Sequence, residues 1–258
     1  MSDHIETNSD MQTCLSKFGG QGHGAPLRQI NDSLGRVPEV ECPKQDPEQD
    51  PYQMQTVAAV TMVCDDAFFL KAWLRHYGEM FGRENCYIVN HGRGSEVATL
   101  AEGCNIIGIP GDPHKNFDIK RWGLLNNLMG GLRRYYRHVI VGDVDELVVR
   151  DPDAGGSLLD FLEAAPEGRV VTPLGLEVIH RIDIEDQVIE DAILGPRRHV
   201  RPAPHYSKPC IISAPVKIAR GGHFTQSDKL FTPDDLYLMH LKFVILAPMW
   251  VLWIIAIR

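Results

Sequence analysis

Three carboxylates, Asp143, Asp145 and Glu146, follow directly on an apolar run in the stretch YRHVIVGDVDELVVRDP, residues 136–152. Like charges this close repel, so something positive has to hold them. With the backbone extended through Asp143, Val144 and Asp145, alternate side chains point to one side, and the two aspartates can grip one target. Hard oxygen donors near a cleft suit Mg²⁺ or Mn²⁺, which complete an octahedral shell with water and substrate phosphates. The plainer reading is a polar strand end, with Asp145 capping a turn and Glu146 in solvent.

The preceding segments must place these acids. TVAAVTMVC (56–64) reads as a buried strand and DAFFLKAWLRHYGEMFG (66–82) as a helix with aromatic residues at helical spacing. CYIVN (86–90) and residues 106–109 read as two further strands, and residues 116–137 as a long helix before HVIVGDVDE. Strands alternating with helices predict an α/β fold: an open, mostly parallel sheet with helices on both faces. Ligands bind such sheets off the carboxyl ends of the strands, where Asp143 and Asp145 fall. HGRGSE lacks the third glycine of a dinucleotide loop and reads as a plain turn.

The bulk composition narrows the partners. A net charge of −8 with scattered arginine pairs argues against nucleic acid, which needs a basic face. Six cysteines without a CxxC pair read as reduced, mostly buried thiols of a cytosolic protein. The N-terminus has no basic start and no apolar core of a signal peptide, and residues 1–54, poor in core formers, read as disordered. Residues 55–242 then form the folded domain. The apolar tail, 243–258, contains Pro248 and is shorter than the roughly 20 residues of a membrane span. A last buried strand, an anchor at the inner face of a membrane and a frame artefact all stay open for it.

Four segments in order resemble the GT-A glycosyltransferases, in particular their family 2-like and family 92-like branch. VCDDAFFLKAWLRHYGEMFGRENCYIVNHG (63–92) is similar to that branch's first helix region, with Trp73, His76, Tyr77 and Gly82 in matching places. Hydrophobic-DVDE follows, then YSKPCIISAPVKIARGGHF (206–224) and LYLMHLKF (236–243), which resemble its lysine-bearing strand pair and its terminal His-x-Lys segment. Asp65–Asp66 replaces the more frequent Asn-Glu, and Asn90 stands where many such enzymes place an acid.

The resemblance implies transfer of a sugar from a nucleotide-diphosphate-sugar donor, UDP- or GDP-linked, to a hydroxyl of a glycan or other acceptor, with Mn²⁺ or Mg²⁺ on the diphosphate. It implies Asp145 and a late histidine, His223 in preference to His240, as metal ligands, with Asp143 either on the metal or on the ribose. Asp65, Asp66, Asn90, Lys208, His240 and Lys242 become donor contacts. Asp65 and Asp66 can equally cap the helix that follows, and Lys208 can be an exposed strand edge. Among Glu177, Asp183, Glu185, Asp186, Glu190 and Asp191, Asp183 is the general base chosen for an inverting reaction. A non-catalytic sugar- or nucleotide-binding relic and an aspartate-dependent phosphatase or phosphotransferase are the rival functions.

Overall fold

The computed structural model describes residues 54–111, 116–190 and 192–245. The expected N-terminal disorder and most of the apolar tail lie outside them. The chain begins with strand β1 (Gln55–Val63) and helix α1 (Ala67–Trp73). A π turn (Leu74–Gly78) and a last helical turn (Glu79–Phe81) extend that helix, and β2 (Cys86–His91), α2 (Ser95–Leu100) and β3 (Asn105–Ile109) follow. Helix α3 (Phe117–Leu132) then leads into β4 (Tyr136–Asp143) and β5 (Glu146–Arg150). Helix α4 (Leu158–Ala164), β6 (Val170–Val171), β7 (Leu174–Ile179), β8 (His199–Pro202), β9 (Ile211–Ile212), β10 (Leu230–Phe231) and β11 (Leu236–Phe243) complete it.

Two sheets result. The larger has the order β10-β6-β9-β4-β1-β2-β3, parallel through β4-β1-β2-β3 and antiparallel where β9 joins β4 and β6. Its central strands are nearly all apolar because both faces are covered. Val57, Ala59 and Ile140 face the cluster containing Leu70, Trp73 and Tyr77, while Ala58, Val60, Val139 and Val141 face Trp122, Leu125 and Met129 of α3. The buried residues of α3 recur at helical spacing, Trp122, Leu125, Met129 and Leu132. This is a mixed α/β architecture of broad Rossmann-like type, a sheet flanked by helices.

The smaller sheet, β5-β11-β7-β8, was not foreseen as a separate layer. It mixes antiparallel pairs, β5 with β11 and β7 with β8, with a parallel pair of β11 and β7. The chain passes from one sheet to the other inside DVDE, since β4 ends at Asp143 and β5 starts at Glu146. Val144 and Asp145 therefore form a turn. That corrects the extended-backbone expectation: the two aspartates do not share a direction through strand alternation.

Candidate functional site

The turn is fixed on three sides. Glu146 accepts from the backbone N–H of Asp143 at 3.3 Å, and the carbonyl of Asp145 accepts from the N–H of Leu241 at 2.8 Å. From α1's face, the N–H of Val148 donates to the Tyr77 hydroxyl at 2.8 Å, while His76 Nε2 bonds the Val148 carbonyl at 2.8 Å. The π turn carries both residues, so the aromatic part of the family-like segment serves as a clamp on β5 rather than as a ligand contact.

The cation sought for the three acids comes from the chain itself. Lys208 Nζ lies 2.5 Å from Glu146 and 3.2 Å from Asp143, and Arg121 from α3 forms an ion pair with the other oxygen of Asp143. Lys208 is buried, not an exposed edge. Burial pushes the carboxyls of both Asp145 and Glu146 up, with Lys208 pulling back. Among the described residues, Asp145 makes no ion pair with an arginine or lysine, and His240 Nε2 lies 3.5 Å from it.

His240 is placed by strand register. On β11 it pairs with Glu146 of β5 on one side and Glu177 of β7 on the other, and Glu177 pairs with Arg201 of β8. Residues in register project to the same face of a sheet, so one polar row crosses all four strands. The Tyr206 ring stacks on His240 at 3.8 Å between centroids. Burial, aided by the charge of Lys208, lowers the imidazole to about 4, so it is neutral near pH 7.

An open cavity of about 650 Å³ lies over these groups. Asp143, Asp145, His223, His240, Lys208 and Lys242 all line it, together with Asp66, Arg121 and Tyr206. Asp66 also caps α1, accepting from the N–H of Phe69 at 3.3 Å, so its two expected roles coexist in space. His223 follows a glycine pair of which Gly222 packs on Trp122: a Cβ there would lie 2.6 Å from that ring. Its Nδ1 bonds the carbonyl of His205 at 2.8 Å, and it makes no ion pair or hydrogen bond with either aspartate.

Three expected residues are not brought into the cavity. Asn90 is buried and its amide is spent on the backbone of Gly94, at 2.8 and 3.0 Å. Asp65, in a left-handed conformation at φ 48°, lies beside Gly94 and outside the lining. Asp183 is paired with Arg181 at 2.6 Å on an exposed, irregular segment outside that lining. Arg121 and Tyr206 join the lining, and Glu146 and Glu177 are buried behind it, against Lys208 and His240. Glu146, as the third acid of DVDE, was the one with a signal in its own neighbourhood.

The fit of a divalent cation can be judged from the donors. Among the described residues, no three His, Cys, Asp or Glu side chains converge on one point. Asp145 Oδ2 and His240 Nε2 do face each other at 3.5 Å, somewhat wider than the ~3 Å edge of an octahedral shell with bonds of ~2.1 Å. Mg²⁺-type sites commonly take only one or two protein donors and leave the other corners to water and phosphate. The pair fits such a site, and Asp143, already engaged by two cations, does not.

No protein-family model and no curated protein sequence matches the chain. Among solved structures, it shows a weak similarity to a mannose-1-phosphate geranyltransferase from Thermus thermophilus, at 17% identity and a TM-score of 0.33. The match covers 47% of this chain and 42% of that one, so the chain spans less than half the length of the protein it resembles.

Proposed function

We propose that the chain transfers a sugar from a UDP- or GDP-linked donor to a hydroxyl of a glycan or similar acceptor. The observation that carries this reading is the meeting, in one open cavity, of Asp143 and Asp145 with Arg121, Lys208, Lys242 and His240. A neutral sugar alone has no use for three cations, and a bare phosphate has none for the acids. A diphosphate accompanied by its own counter-cation uses both. The order of the family-like segments supports the same reading.

When bound at Asp145 and His240, Mn²⁺ or Mg²⁺ supplies Lewis-acid neutralisation of the diphosphate. The chain's residues divide the other tasks. Lys208 Nζ, fixed between Glu146 and Asp143, and Lys242 on the exposed wall offer positive charge to the diphosphate as its negative charge grows. Asp143 acts on the donor through the cations it holds, Arg121 and Lys208. His223, held by the His205 carbonyl, is left to meet the sugar or the acceptor through its other nitrogen.

A thermal-shift titration tests this with UDP and GDP, each with and without Mn²⁺, on the wild type and on Asp145→Ala. A ligand at 100 times its Kd adds about 2.7 kcal/mol to native-state stability. The expected result is a rise in Tm that needs nucleotide and metal together and disappears in Asp145→Ala. A cooperative melt unmoved by either nucleotide rejects the proposal.

A further inference from the structure

Glu177 is not needed by the reaction just proposed, yet it is one of the most deeply placed carboxylates in the molecule, at 2% exposure. It does not line the cavity, so it contacts neither donor nor acceptor. Arg201 holds one oxygen, with Nε at 2.5 Å. The other oxygen lies 3.6 Å from His240 Nδ1, a small side-chain rotation away from a hydrogen bond. That Nδ1 is buried and has no hydrogen-bond partner, although buried ring nitrogens are normally satisfied.

His240 thus stands between two carboxylates, Glu177 at Nδ1 and Asp145 at Nε2, with Tyr206 against its face. A neutral imidazole has one N–H, so only one carboxylate can be its acceptor. The other then confronts a nitrogen lone pair, and two acceptors face each other unless a cation lies between them. Arg201 fixes which is which, because it pins Glu177 in place, whereas among the described residues Asp145 forms no ion pair with an arginine or lysine.

We infer that Glu177 is a positioning residue: it accepts the Nδ1 proton of His240 and thereby turns the Nε2 lone pair toward Asp145 and a divalent cation. This rests on the proposed role of Asp145 and His240. A carboxylate behind a ligating imidazole sets its tautomer and orientation and raises its basicity, and losing it typically weakens metal binding by ~10–100-fold.

The test uses the full chain, ¹⁵N-labelled and metal-free, with the His240 resonances identified by their absence in His240→Asn. Long-range ¹H–¹⁵N spectra at neutral pH are expected to show the Nδ1–H tautomer in the wild type. In Glu177→Met the proton is expected to move to Nε2, facing Asp145. Mn²⁺ affinity, titrated calorimetrically with UDP present, is expected to fall ~10–100-fold in Glu177→Met. Glu177→Gln, which keeps an acceptor oxygen, is expected to restore most of it. An unchanged tautomer and unchanged Mn²⁺ affinity in folded Glu177→Met overturns the inference. Should that variant not fold, Arg201→Met serves instead, its side chain being 61% exposed in the wild type. It is expected to weaken Mn²⁺ binding and mix the tautomers, and no change in either quantity overturns the inference equally. A wild type that binds neither UDP nor Mn²⁺ defeats the proposed function, while the tautomer in metal-free protein still decides the role of Glu177.

Discussion

Lys208 Nζ stands 2.5 Å from Glu146 and 3.2 Å from Asp143, on a side chain only 7% exposed. Removing one partner of a buried ion pair leaves an uncompensated charge and costs ~3–5 kcal/mol. Lys208→Met is therefore expected to lose that much in urea unfolding, and adding Glu146→Gln is expected to recover part of it by removing a stranded charge. Equal stability of the single and double variants would contradict the picture of Lys208 as their common counter-ion. DVDE was legible because acids crowded at a strand end demand a counter-charge, whereas Lys208, His240 and Lys242 were reached only through the resemblance of the segments that carry them. Arg121 was reached by neither route, because in sequence it is one charge among several on α3, and only the fold brings it to Asp143. Asn90 was misjudged for a different reason. A side-chain amide at the end of a strand can serve the chain's own turn, and here it closes the loop to Gly94. Glu177 could not be told from its acidic neighbours, since its place is set by pairing with His240, which follows β7 by some sixty residues.

Among the elements, β7 and the segment before Lys208 approach most closely at Gly175. A Cβ there would meet the backbone of Tyr206, Ala203 and Ser207 at 2.4 to 2.6 Å, and backbone atoms cannot rotate away. The N–H of Gly175 also donates to the Ser207 hydroxyl at 2.9 Å. Gly175→Ala is expected to push this segment outward, cost ~1–3 kcal/mol by overpacking and lift Tyr206 off His240. The readouts are the unfolding midpoint and the ring-current shift of the His240 protons. An unshifted His240 would show that the stack does not depend on this approach. The parallel strands β1 to β4 were legible because each is an apolar run followed by a turn or helix, although only β1, β2 and β4 are largely buried. The smaller sheet was not legible, because its strands are scattered along the chain. What makes them a sheet is pairing between distant residues, such as Leu238 with Val148 and Gly175, which no local periodicity encodes.

Across the whole molecule, the buried titrating groups set how stability responds to acid. Burial lowers His138 in the central strand β4, with Arg137 adding to the effect, and burial lowers His76 against the pull of the Val148 carbonyl. Because the folded imidazoles lie below their ordinary value of 6.5, the unfolded chain binds more protons as pH falls through 6.5. Stability is therefore greatest above that pH and declines below it. Glu185 adds a second, more acidic loss. Burial pushes its carboxyl up, but the N–H groups of Arg198 and Arg181 and the ring of His199 outweigh that and hold it at about 2. Its contribution is present above the ordinary 4.5 and is lost as pH falls from there toward 2. The raised carboxyls of Asp145 and Glu146 act in the opposite sense, taking up protons in the fold before they would in the unfolded chain. Taking up protons at a pH above their ordinary values, they oppose both the histidine step and the loss at Glu185. Urea midpoints of the metal-free protein are expected to hold steady from pH 8 to 7 and to fall between pH 6.5 and 5. His138→Gln is expected to flatten that fall. A profile level down to pH 5 would remove the buried histidines as its cause, and one of the same slope in His138→Gln would remove His138 from among them.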